Sequence, residues 1–190
     1  MDTSDKRVTK QEQRKISKLQ RDTLSNRDKL DKLILDRVCA LLDSICHENT
    51  IVGLYINRGS EVCTARIISH LRNRVEIALP KIIDNDIVFS LIDSKEDLDK
   101  ILIMNKKYKI MEPNEINICD PNIIIAPMVA FDERLARLGY GGGFYDRYLI
   151  KKDVYKIGIA YDAQKVDQIS ANKNDVSMDI ILSDFNTYTL

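Results

Sequence analysis

The chain has 190 residues, 44% of them hydrophobic and 31% charged, a size that supports one well-buried core and a composition that excludes a disordered chain. Lys plus Arg and Asp plus Glu both number 29, so no net charge drives broad binding to nucleic acid or to an anionic membrane. The longest apolar runs, such as Ile123 to Ala126, are strand-sized and far short of the roughly 20 residues that cross a bilayer.

From about Lys6 to Leu24 the sequence is polar and helix-favouring, with Lys10, Arg14, Lys18 and Arg21 on one helical face. Such a stripe is ordinarily a solvated face. Ser25 followed by Asp28 has the form of a capping box, which predicts a second helix carrying Leu30, Leu33, Ile34, Val38, Leu41, Leu42 and Ile45 at core spacing. After His47 the pattern changes to β-rich runs at Ile51 to Ile56, Val75 to Leu79, Ile87 to Ile92, Asn122 to Ala126, Tyr155 to Tyr161 and Ile180 to Leu182. Several are nearly continuous in apolar residues, as strands hidden on both faces are. Helical patterns intervene at Val62, Ala65, Ile68 and Leu71 and from Phe144 to Ile150. The alternation predicts a single three-layer α/β domain over residues 1–190, with a mainly parallel, Rossmann-like sheet flanked by helices and preceded by N-terminal helices.

The N-terminal stretch MDTSDKRVTKQEQRK has no apolar leader and carries Asp2, Asp5 and Glu12, which points to a cytoplasmic protein. Cys39, Cys46, Cys63 and Cys119 form no C-x-x-C pair and no zinc-ligand spacing, so free, reduced thiols are expected. His47 and His70 have no partner pattern that marks a catalyst.

Between the run ending at Ala126 and the Phe144 helix, four of the chain's 7 glycines fall at Gly139, Gly141, Gly142 and Gly143. Glycine lets a ligand approach backbone N–H groups with no Cβ in the way, and at a helix start those donors favour phosphate. Arg137 could add a bidentate guanidinium. No G-x-x-x-x-G-K-[ST] occurs, and G-x-G-x-G is not the dinucleotide fingerprint, so a nucleotide site here is of another type. By itself such a cluster is more often only a turn. Asp146 sits favourably in the first turn of the following helix; together with Asp179 it could hold one Mg²⁺.

The run Phe131-Asp132 and Arg137-Leu138-Gly139-Tyr140-Gly141-Gly142-Gly143-Phe144-Tyr145-Asp146-Arg147-Tyr148-Leu149 resembles the signature of the 5-formyltetrahydrofolate cyclo-ligase family. Lys10 with Arg14, Ile56 to Glu61, Pro80, Glu112-Pro113, Gln164 and Asp179 resemble further family positions in the family's order. The resemblance implies an ATP-dependent enzyme that closes 5-formyltetrahydrofolate to 5,10-methenyltetrahydrofolate. It implies that Lys10, Arg14 and Arg137, Leu138, Gly139, Tyr140, Gly141, Gly142, Gly143, Phe144 and Tyr145 contact ATP. Arg137 and Tyr145 would serve the reaction, Asp146 and Asp179 would hold Mg²⁺, and Ile56, Glu61, Tyr140, Gly142 and Phe144 would hold the reduced folate. The implied enzyme is a monomer or weak homo-oligomer that binds neither nucleic acid nor membrane. Two positions depart from the family: Leu135 stands where Gly is usual, and Phe144 where Tyr is usual. Other readings of the residues are a sugar-phosphate isomerase-like enzyme, which would release no ADP, and a nucleic-acid module built on the Lys10 to Arg21 stripe with Lys106, Lys107 and Lys109.

Overall fold

Thr9 starts the first helix through a reciprocal cap: its hydroxyl accepts from the Glu12 N–H, and its own N–H donates to the Glu12 carboxylate at 2.8 Å. The computed structural model describes residues 8–93 and 98–190, so the expected helix start at Lys6 lies outside the described residues. The helix, α1 (Lys10–Asp22), buries Gln13, Ser17 and Arg21, while Ile16 and Leu19 stay exposed. Its docking face is therefore polar. The cationic stripe is divided: Lys18 pairs with Asp22, Arg21 is buried, and Lys10 and Arg14 face inward to a cavity.

The capping box expected at Ser25 and Asp28 does not form. Helix α2 (Arg27–Ile45) begins instead at Asn26, which has φ 57° and no side-chain cap. Asn enters the left-handed region at low cost, and the tight turn lets its carbonyl accept the N–H groups of Lys29 and Leu30 at 3.0 and 3.2 Å. Ile34, Val38 and Leu42, four residues apart, form the buried stripe of α2.

The chain continues through β1 (Ile51–Gly53), α3 (Ala65–Leu71), β2 (Glu76–Ile83), β3 (Asp86–Ile92), α4 (Leu98–Ile101), β4 (Leu102–Asn105), β5 (Ile110–Pro113), β6 (Ile118–Cys119) and β7 (Ile123–Ala126). There follow β8 (Ala130–Phe131), β9 (Arg137–Leu138), α5 (Phe144–Leu149), β10 (Tyr155–Ile159), a single 3₁₀ turn (Asp162–Gln164), β11 (Ile180–Leu182) and β12 (Thr187–Tyr188). Eight strands form one sheet in the order β12-β11-β10-β7-β1-β2-β3-β6. The centre from β11 to β2 is parallel, and β12, β3 and β6 are antiparallel. Ile123 and Ile125 face α2 and α3, whereas Ile124 and Ala126 face Leu149 of α5. Both faces of the central strands are thus covered, the three-layer architecture that their apolar runs predict.

Two details of the sheet shape the site. β1 stops at Gly53, opposite Ala78, and the chain beyond it turns out of the sheet through Tyr55 and Ile56. β2 nevertheless runs on, through Pro80 to a two-residue turn at Asp84 and Asn85, both with positive φ. On the alternation of a strand, the N–H that Pro80 lacks would point toward the side β1 has vacated, which is why proline is tolerated there. The β4–β5 hairpin takes up that side: Glu112 accepts the Ile82 N–H at 3.3 Å, and the buried Lys81 reaches Glu112 at 3.7 Å and the Pro113 carbonyl.

The turn at Leu135 keeps the shape that glycine would give it. Leu135 has φ 61° and is 1% exposed, its N–H donating to the Asp132 carbonyl at 3.0 Å and its carbonyl accepting from Met178 at 3.0 Å. The buried Asp132 carboxylate accepts the N–H groups of Arg134, Ala136 and Ile169 and fixes the same turn.

Candidate active site

The carboxyl ends of β1 and β7 open onto a cavity of about 450 Å³. Open α/β sheets bind ligands at this end. α1 supplies Lys10 and Arg14 to one wall, and the loop leaving β1 supplies Tyr55, Ile56, Arg58 and Glu61 to another. The far half of β2 and the β4–β5 hairpin add Pro80, Ile82, Tyr108, Ile110 and Met111. The glycine loop, from Arg137 to Asp146, forms the remaining side.

The loop is braced by two arginines. Arg14 donates to the Gly139 carbonyl at 2.8 Å, and a Cβ on Gly141 would lie 3.4 Å from the same guanidinium. Arg147 donates to the Gly142 carbonyl at 2.7 Å and to the Asn85 carbonyl at 2.6 Å, tying the loop to the β2–β3 turn. Gly141 and Gly143 have φ of 101° and 66°, and a Cβ on Gly142 would meet the Phe144 ring at 2.8 Å. Glycine is thus required here by conformation and by close approach together. Since α5 has only six residues, its dipole is short, and anion binding rests more on loop amides and cations than on the helix.

Arg137 is 6% exposed and donates to Asp146 Oδ1 at 2.8 Å and to the Pro127 carbonyl at 3.3 Å, while its Nε has no partner. Its guanidinium lies 5.6 Å from the centre of the Tyr145 ring, whose hydroxyl is buried and unpartnered. Burial pushes that hydroxyl far above the ordinary tyrosine range. Unsatisfied buried donors beside a cavity are groups that a ligand can satisfy.

Asp146 Oδ1 also accepts the Val176 N–H at 3.2 Å, and Oδ2 makes no hydrogen bond among the described residues. A carboxylate oxygen free at a cavity wall fits a hard cation that takes its other oxygens from phosphate and water. The structure does not bring Asp179 to this wall. Its carboxylate accepts the Lys156 backbone N–H at 2.7 Å and pairs with Lys156 Nζ at 2.8 Å, at the amino ends of β10 and β11. Asp175 lines the cavity instead, paired with Lys10. Burial is the largest influence on Asp175 and raises its carboxyl, but the Asn172 N–H and Lys10 outweigh it and hold the group below the ordinary range.

On the other side Glu61, 8% exposed, accepts the Arg58 N–H at 2.6 Å. Burial raises its carboxyl, opposed by the Tyr140 hydroxyl and by Arg58 and Arg21. Apart from Arg58, the lining around it is apolar or aromatic. The Tyr108 ring meets Phe144 edge-on at 5.3 Å, and its hydroxyl reaches Asn85 at 2.6 Å. Elsewhere burial pushes the Cys39 and Cys119 thiols up to about 11, and His70 is engaged with Asp43 and Arg74 on the surface. Neither thiol is an activated nucleophile.

Tyr55, Arg58, Tyr108 and Asp175 are wall residues that sequence reasoning missed. The signal available for Tyr108 was the polar turn Asn105 to Lys109 between two short apolar runs, a hairpin signature.

Fold and cavity together define an α/β protein whose cavity, at the carboxyl end of the sheet, has a cationic, glycine-built wall and an opposite, largely apolar and aromatic wall around the buried Glu61 carboxylate. Over residues 5–184 the chain matches the family described as the 5-formyltetrahydrofolate cyclo-ligase family, and it belongs to that family. The 5-formyltetrahydrofolate cyclo-ligase of Mycoplasma genitalium is 31% identical over 183 residues, 92% of this chain and 98% of that protein. The Mycoplasma pneumoniae cyclo-ligase is 34% identical over 115 residues, a match spanning 59% of this chain and 58% of that protein. The solved structure of Aquifex aeolicus 5,10-methenyltetrahydrofolate synthetase superposes with a TM-score of 0.79 at 28% identity, covering 96% of this chain and 93% of that one. No helix among the described residues is long and apolar enough to cross a membrane.

Proposed function

We propose that this chain catalyses the ATP- and Mg²⁺-dependent closure of 5-formyltetrahydrofolate to 5,10-methenyltetrahydrofolate, releasing ADP and phosphate. The observation that supports it is a single cavity lined both by the cations Lys10, Arg14 and Arg137 and, beside Glu61 and Arg58, by apolar and aromatic side chains. The first suits a triphosphate. The second suits a flat heterocycle, with Ile56, Tyr140 and Phe144 against its faces and the Glu61 carboxylate accepting its N–H groups.

The chemical difficulty is that the formyl oxygen leaves poorly. In this reading that oxygen attacks the γ-phosphorus, and the bond from phosphorus to the ADP oxygen breaks. N10 then attacks the formyl carbon and loses its proton, and the carbon–oxygen bond breaks to release phosphate. Such a path asks the protein for alignment and charge neutralisation rather than for a nucleophile. Arg14 and the backbone from Leu138 to Gly143 hold the phosphates, Arg137 and Lys10 balance their charge, and Tyr145 offers its unpartnered hydroxyl to them. Asp146 would hold Mg²⁺, which when bound neutralises and orients the phosphates; Asp179 joins it only by leaving Lys156. A reduced folate and ATP are the partners in this reading, in a cytoplasmic monomer or weak homo-oligomer.

Replacing Asp146 with Asn keeps the side chain's shape and removes its charge. Turnover at ordinary Mg²⁺ is expected to fall by about a hundredfold or more, and the melting temperature to drop by several degrees with the fold kept, because the buried Arg137 loses its counter-charge. Unaltered turnover in the folded variant would remove Asp146 as the metal ligand.

A further inference from the structure

The two-residue turn between β2 and β3 carries an asparagine where its backbone alone would favour glycine. Asp84 and Asn85 have φ of 49° and 67°, and hairpin turns of this kind favour Asp-Gly over Asp-Asn. The Asn85 side chain reaches beyond the turn. Its Oδ1 accepts the Tyr108 hydroxyl at 2.6 Å and Lys107 Nζ at 3.0 Å, both from the tip of the β4–β5 hairpin. Its backbone carbonyl accepts Arg147 Nη2 at 2.6 Å, and Arg147 Nη1 donates to the Gly142 carbonyl at 2.7 Å. One residue therefore joins the hairpin to the glycine loop. We infer that Asn85, which does not line the cavity, is a positioning residue for the reaction: through Tyr108 it sets the hairpin wall against the glycine loop where the reduced folate binds.

Tyr108 lines the cavity, its ring edge-on to Phe144 at 5.3 Å, and the Arg147 guanidinium lies 5.1 Å from the centre of that Phe144 ring. Holding Tyr108 by its hydroxyl fixes the ring against Phe144. An aromatic wall ordered before the ligand arrives leaves less freedom to be lost on binding. The hairpin's own bonds do not replace this tie. Asn105 Oδ1 accepts the N–H groups of Lys107 and Tyr108 at 3.2 and 3.3 Å, backbone contacts that leave the Tyr108 side chain free to turn. The contact from Arg58 to the Tyr108 carbonyl is long, at 3.5 Å, and it too misses the ring. This inference rests on the folate reading of the cavity.

The test is steady-state kinetics of the wild type, N85G, Y108F and the double variant, read by methenyl absorbance with 5-formyltetrahydrofolate and ATP varied in turn. Glycine at position 85 suits the positive φ and keeps the carbonyl that holds Arg147, so the tie to the hairpin alone is lost. In N85G the KM for 5-formyltetrahydrofolate is expected to rise about three- to tenfold, the scale of one lost hydrogen bond, with kcat and the KM for ATP little changed. Y108F should reproduce that rise, and the double variant should add little to either, because both changes remove one contact. Equal rises in both KM values would mean a general loosening of the fold and would overturn the inference. An unchanged folate KM in N85G, or rises that multiply in the double variant, would overturn it as well. Should N85G not fold, Y108F decides by the same split between the two KM values. A wild type that forms no methenyl product would instead remove the folate reading itself, and this inference with it.

Discussion

Replacing Arg137 with Met is expected to lower turnover by about a hundredfold to a thousandfold, the scale for removing one charged donor aimed at a transition state. Among the described residues Arg137 is the only cation lining the cavity that is both buried and carried by the glycine loop, and its Nε has no hydrogen-bond partner. Its charge also balances Asp146, so Met leaves that carboxylate with the Val176 N–H alone. Losing a charged hydrogen bond there costs about 1.5–3 kcal/mol of stability. Steady-state turnover measured beside a thermal melt separates the two effects. R137K, which keeps charge but not the planar fork, should fall between wild type and R137M. An R137M enzyme with near wild-type turnover would show that the phosphates are held elsewhere.

The second large effect is on stability, at Leu135. This side chain is buried among Met128, Phe131 and Met178, yet its φ is 61°. Leu135→Ala removes the packing but leaves a Cβ in the left-handed region. It is expected to cost about 3 kcal/mol, which lowers the melting temperature by about 6–12 °C for a chain of this size. Leu135→Gly removes slightly more packing but relieves roughly 1–2 kcal/mol of backbone strain. Glycine normally destabilises relative to alanine. Here the glycine variant should be at least as stable as the alanine one, and a glycine variant clearly less stable would mean that the turn carries no strain.

The sheet was legible because Ile123 to Ala126 and Ile180 to Leu182 are apolar without interruption, as strands covered on both faces must be. The short strands β4, β5, β6, β8, β9 and β12 have two to four residues each, too few to show a period. Asn26 misled because a left-handed asparagine cap has no motif comparable to Ser25 with Asp28. The glycine loop was legible through its composition, and Lys10 with Arg14 through spacing and resemblance. What spacing could not supply was direction. Arg21 belongs to the same stripe as Lys10 and points into the protein, because α1 docks through polar residues. Asp179 resembles a metal ligand by position, but its carboxylate is paired with Lys156 where β10 meets β11, and it is not among the residues lining the cavity.

In the proposed reaction one cavity unites a triphosphate and a reduced folate for ring closure. Ultraviolet absorbance of the purified protein with 5-formyltetrahydrofolate, ATP and Mg²⁺ tests it most directly, with each component omitted in turn. Growth of the methenyl absorbance only when all three are present, matched by ADP release, is the predicted result. Folded protein that forms no methenyl product, or forms it without ATP, would contradict the claim.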